Sequence, residues 1–151
     1  EDPEPEVPQH LHEIEASSLS ESFARLKQKV DDVSLFQQWF GCHVTQPKYP
    51  ELIVPLSEEQ AQFAQHALAE AKSIRHHPSS RFAYLEDRES ASLFLFADGQ
   101  AAKFPSALKP LLARLCEATP LSGATLASSL TEPSIAELLL RLVKQGSLLL
   151  D

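Results

Sequence analysis

The residues in this chain best suited to chemistry are its six histidines and two cysteines. His10, His12 and Glu13 form a His-x-His-Glu run. On an extended segment that spacing puts both rings on one side with a carboxylate beside them, a partial ligand set for a metal ion. The run lies in a proline-rich acidic stretch with no second ligand motif nearby, so it reads as a solvated arm. His76 and His77 are adjacent loop residues whose rings point different ways, and Cys42-His43 is half of a zinc pair with no other half. Cys116 falls on the apolar face of its helix, the place of a core thiol. There is no G-x-S-x-G elbow, no P-loop and no G-x-G-x-x-G. The acid pairs Asp31-Asp32 and Glu58-Glu59 stand at helix starts, where the helix dipole favours negative charge, and read as caps rather than general acids. On these grounds the chain alone offers no catalytic residue, no metal site and no cofactor site.

The elements that would have to position any chemistry begin with an arm. Residues 1–16 carry three prolines and six acids and read as a linker. Ser17 and Ser18 can cap a first helix, with Glu21 completing a capping box. Its apolar residues Leu19, Phe23, Leu26, Val30 and Val33 repeat in heptad fashion. Asp32 can cap a second helix running to about Val44, with Leu35, Phe36, Trp39, Phe40 and Val44 on one face. Residues 46–56 are extended and limited by proline. Ser57, with Gln60, starts a third helix to about Ala71. His76 to Ser80 read as a loop. Strands follow at 81–85 and 92–97, then the turn signal Asp98-Gly99 and a return strand at 101–104. Helices are expected over 107–118, 122–130 and 134–145, with Gly146 as C-cap and a last strand at 148–150. A hairpin, three helices and a closing strand make an α+β chain whose later part, 57–151, is winged-helix-like. Residues 17–56 form a helical hairpin.

That hairpin poses the main question. Phe36, Trp39 and Phe40, including the only tryptophan, crowd little more than one helical turn. One reading is an ordinary core within the domain. The other, which we favour, is self-association: two helices this short cannot bury their apolar faces within a hairpin. The expected homodimer interface is Leu19, Phe23, Leu26, Val30, Phe36, Trp39 and Phe40.

Composition narrows the partners. The chain has 151 residues and a net charge of −8. Residues 1–35 carry net −6, 36–90 net −2, and 91–151 are neutral. No segment has the basic footprint that phosphate binding requires. In the would-be recognition helix, 134–145, the exposed face offers Glu137, Arg141, Lys144 and Gln145, with an acid near the end that usually meets DNA. Much of the remainder is leucine. Both points argue against direct nucleic-acid binding, and a winged-helix transcription regulator is the alternative reading. Two distant cysteines fit a reducing, cytoplasmic compartment. No run of about 18 apolar residues suggests a membrane span. A chain starting at Glu1 and lacking methionine is expected to be a piece of a longer protein.

Several strings, in order, resemble the C-terminal half of the bacterial arginine-hydroxylating ribosomal oxygenases, JmjC-type hydroxylases with a cupin fold. The arm EDPEPEVPQ is similar to the segment leaving the catalytic barrel. The helix from Leu19 to Val33 and the Leu35-Phe36-Gln37-Gln38-Trp39-Phe40-Gly41 helix resemble the dimerisation helices, with Trp39-Phe40-Gly41 the most specific string. Phe96-Ala97-Asp98-Gly99-Gln100 resembles the winged-helix hairpin. LLLRLVKQGSLLL, 138–150, resembles the closing helix, glycine and strand, with leucines where aromatic residues are common. The resemblance implies a parent enzyme that uses Fe(II) and 2-oxoglutarate to hydroxylate an arginine of a large-subunit ribosomal protein. The His-x-Asp motif and distant third His that hold the iron in that family are absent from this sequence. The resemblance therefore implies a non-catalytic region that supplies homodimerisation and a winged-helix scaffold. The acidic surface would suit a basic ribosomal protein.

Overall fold

A computed structural model describes residues 16–151. It divides into two compact units, the first ending at Trp39 and the second running from Phe40 to Asp151.

The first unit contains α1, Ala16–Asp31, and the opening of α2, Val33–Val44. Asp32 lies between the two helices and stops one while starting the other. Its Oδ1 accepts from the Leu35 amide at 3.1 Å, and its carbonyl accepts from the Phe36 amide at 2.9 Å. The carbonyl accepts the first bond of the helix, and the side chain satisfies an amide that a helix start leaves without an intrahelical partner.

The second unit is built around a leucine-rich core. Helix α3, Glu58–Glu70, opens with the expected capping box: the Gln60 amide donates to Ser57 Oγ at 3.2 Å, and the Ser57 amide donates to Gln60 Oε1 at 3.1 Å. Strands β1, Ser73–His76; β2, Phe82–Asp87; β3, Ser92–Ala97; and β4, Gln100–Pro105 follow. Then come α4, Lys109–Cys116; β5, Leu121–Ser122; α5, Gly123–Thr131; α6, Pro133–Lys144; and β6, Leu148–Leu150.

The strands form two antiparallel sheets, ordered β5-β1-β6 and β2-β3-β4. The second is the wing. Its central strand β3 is buried at every position. Leu93, Leu95 and Ala97 point into the main core, while Phe94 and Phe96 point to the opposite face. The main core is completed by Leu68, Ile74, Leu112, Leu121, Leu126, Leu139, Leu142 and Leu148, so α3, α4, α5 and α6 all contribute to it.

The stretch read as a loop from His76 differs in one respect. His76 is the last residue of β1 and pairs with Leu148. Ile74 pairs with both Leu121 and Leu150, which makes β1 the centre of its sheet. Neither β1 nor the two-residue β5 shows a recognisable period; both exist because distant segments supply their ladder partners.

Candidate functional site

Two features stand out. The first is apolar. Along α1, Leu19, Phe23, Leu26 and Val30 are 65%, 66%, 61% and 56% exposed, and α1 buries none of its residues. On α2, Phe36 is 45% and Trp39 57% exposed in the first unit, and Phe40, the first residue of the second unit, is 51% exposed. The Phe36 and Trp39 rings lie 5.8 Å apart and tilted by 33°, a favourable aromatic contact. Heptad spacing puts the α1 residues on one stripe, as the sequence requires.

The second surface is a cleft of about 620 Å³ between β4 and α6. Its walls include Lys103 and Phe104 from β4 and Glu137, Leu138, Arg141 and Lys144 from α6. Phe104 and Leu138 are buried and form an apolar floor, while Glu137, Arg141 and Lys144 of α6 stand exposed beside it. Lys103 Nζ also lies 5.7 Å from the centre of the Phe94 ring. Glu137, Arg141 and Lys144 are legible in the sequence as one helix face. Lys103 is not, because its place beside that face depends on how the wing folds back.

The remaining polar chemistry ties elements together. The tip of the wing is a two-residue turn in which Asp98 and Gly99 have φ of 48° and 82°. Both angles are left-handed, as a type I′ hairpin requires. Asp98 tolerates this because its carboxylate is well anchored. Oδ1 accepts from the Arg81 amide at 2.8 Å, and Oδ2 accepts from the hydroxyls of Ser80 at 2.8 Å and Ser147 at 2.5 Å. The wing tip is therefore bound to the segment between α6 and β6. Thr45, 1% exposed at the end of α2, donates to the Gly41 carbonyl at 2.8 Å and accepts from the Gly99 amide at 3.2 Å. Gly41 lies against the Phe96 ring so closely that an added Cβ would collide with three of its carbons.

The histidines and cysteines are placed apart from one another. His76 Nε2 donates to the Leu115 carbonyl at 2.6 Å, and its ring stacks on Phe82 with centres 4.1 Å apart, so it ties β1 to α4. His77 Nδ1 accepts from the Ser79 amide at 3.1 Å and shapes the following turn. Cys42 is half-buried, and its neighbour His43 is exposed. Cys116 packs against the core, and burial pushes its thiol up to about 12. His10, His12 and Glu13 lie outside the described residues.

Among the described residues no group of three or more His, Cys, Asp or Glu is placed to hold a metal ion. Among the described residues none fit an iron held by two His and a carboxylate. Among them, too, no helix is long and apolar enough to cross a membrane.

Comparison with known proteins fits this geometry. No curated protein matches the chain. Among solved structures, YcfD, a ribosomal oxygenase from Escherichia coli, matches at a TM-score of 0.63 and 20% identity, over 100% of this chain and 40% of that one. YcfD in complex with cobalt and 2-oxoglutarate matches at 0.61, and in complex with cobalt and succinic acid at 0.64, each with the same identity and coverage. The likeness is one of fold, and the chain spans about 40% of the length of these YcfD chains. The model of the ROXA-like winged helix matches residues 27–149, from the end of α1 to β6, and by that match the chain belongs to the ROXA-like winged helix family.

Proposed function

We propose that this chain is the non-catalytic C-terminal region of an Fe(II)- and 2-oxoglutarate-dependent ribosomal oxygenase. In this reading residues 17–56 hold two copies together, and 57–151 form the winged-helix scaffold. The observation that carries it is the pairing of a ROXA-like winged helix with a preceding helix whose whole apolar stripe is exposed. Exposed apolar stripes of that length mark association surfaces. Leu19, Phe23, Leu26, Val30, Phe36, Trp39 and Phe40 are the interface, arranged isologously about a two-fold axis.

The parent enzyme hydroxylates an arginine of a large-subunit ribosomal protein in the cytoplasm. Iron and 2-oxoglutarate are bound outside this region, which contributes geometry rather than chemistry. The acid of this region, concentrated in residues 1–35, favours approach of a basic ribosomal protein.

The test uses the longer protein that contains this region. It is incubated with 2-oxoglutarate, Fe(II) and large-subunit ribosomal proteins, and arginine oxidation is read by mass spectrometry. A gain of one oxygen on an arginine supports the reading. No 2-oxoglutarate turnover with any ribosomal protein contradicts it.

A further inference from the structure

We propose that the cleft between β4 and α6 takes up an extended acidic peptide segment, which adds to the open edge of β4. Three observations converge on it. The first is the strand edge. In the order β2-β3-β4 the last strand has a neighbour on one side only. The two-residue turn makes Ala97 and Gln100 the closing hydrogen-bonded pair of the hairpin, and pairing alternates from there. The N–H and C=O groups of Ala101 and Lys103 therefore point away from β3. Among the described residues no backbone group outside the sheet pairs with either. An open edge of this kind is a template for an added strand.

The second is the shape. The cleft lies beside that edge, with α6 as its far wall and Phe104 and Leu138 as its floor. A strand laid along β4 would point alternate side chains down to the floor and up to the rim.

The third is charge. The chain carries −8 overall, yet the α6 wall of the cleft carries two cations, Arg141 and Lys144, and one acid, Glu137, while Lys103 stands at the same strand edge with its ammonium over Phe94 on the other face of the wing. Elsewhere in this unit Arg75, Lys109 and Arg114 are paired with Asp151, Glu86 and Glu117. Among the described residues Lys103, Arg141 and Lys144 have no carboxylate partner within ion-pair distance. Rim charges of this kind select an oppositely charged partner. A peptide with acids on the rim side and an apolar residue on the floor side satisfies all three observations. A nucleic acid would meet the cations but leave both the strand edge and the apolar floor unused.

The test is an amide-resolved NMR titration of the full chain with a capped Glu-Val-Asp-Val-Glu peptide. Shifts confined to β4 and α6 are expected. Reversing two rim charges, Arg141→Glu with Lys144→Glu, should weaken binding about tenfold; both side chains are exposed, so the fold is retained. Ala101→Pro removes only an outward-pointing N–H and should abolish binding while the wing stays folded. The proposal is overturned by any of three results: no shifts in β4 or α6, equal binding of a Lys-Val-Lys-Val-Lys peptide, or shifts at this cleft with single-stranded RNA but not with the acidic peptide.

Discussion

Helices α1 and α6 carry similar sequence patterns and meet opposite fates. Each presents an apolar stripe at helical spacing: Leu19, Phe23, Leu26 and Val30 in one; Ile135, Leu138, Leu139, Leu142 and Val143 in the other. In α6 every one of those residues is buried, against α3, α5 and the sheet ends. In α1 none is. Amphipathic periodicity tells which face of a helix wants cover but not what supplies it. For α6 the cover is the rest of its own unit. For α1 we assign it to a second copy of the chain.

This contrast is most sharply probed by truncating one leucine in each helix. Leu139→Ala, at a fully buried site, should cost about 2–5 kcal/mol in urea unfolding. Leu26→Ala should change the folding stability of the monomer, measured at a concentration where the chain is dissociated, by no more than about 0.5 kcal/mol, because its site is exposed there. Equal losses for the two would erase the distinction.

A smaller effect is expected where α2 meets the wing. Gly41→Ala drives a methyl group into the Phe96 ring, and overpacking of this kind costs about 1–3 kcal/mol. The near-ultraviolet dichroism of the aromatic residues should change with it. Next is the helix cap. Ser57→Ala removes the acceptor of the Gln60 amide and should cost about 1 kcal/mol by thermal denaturation.

The smallest effect is one of pH. The Lys109 ammonium, which donates to Glu86 Oε2, holds the Glu86 carboxyl below its usual range. A carboxyl whose pKa is lower in the folded state stabilises the fold above its unfolded pKa, and that stabilisation is lost as pH falls through the folded value. Lys109→Ala should therefore lower stability slightly at neutral pH. The difference from the parent chain should vanish in acid, as a pH series of melting curves would record.

How much of this was legible in the sequence depends on how local the determinants are. The Ser57–Gln60 capping box, the Asp32 cap and the Asp98-Gly99 turn are set by residues within a few positions of one another, and each appears where the sequence puts it. The leucines of α6 read as buried because they are too many for an exposed helix. Strand β1 was not legible. Ser73–His76 has one fully buried residue, Ile74, and its partners lie some fifty and more than seventy positions later. The cleft was half legible: Arg141 and Lys144 share a helix face, but the β4 edge beside them exists only through the return of the wing. Nothing in the spacing of His76 suggests that it would bind a backbone carbonyl rather than an ion; that follows from the packing of α4 on β1.

The central claim is that the apolar stripe of α1 and the aromatic residues of α2 join two copies. Sedimentation velocity of the chain across a dilution series tests it directly, alongside the double variant Trp39→Ala with Phe40→Ala. The account predicts a dimer for the parent chain, and for the variant a dissociation constant raised by the few kcal/mol that two buried aromatic side chains contribute. A parent chain that sediments as a monomer at every concentration, or a variant that dimerises as tightly as the parent, would contradict it.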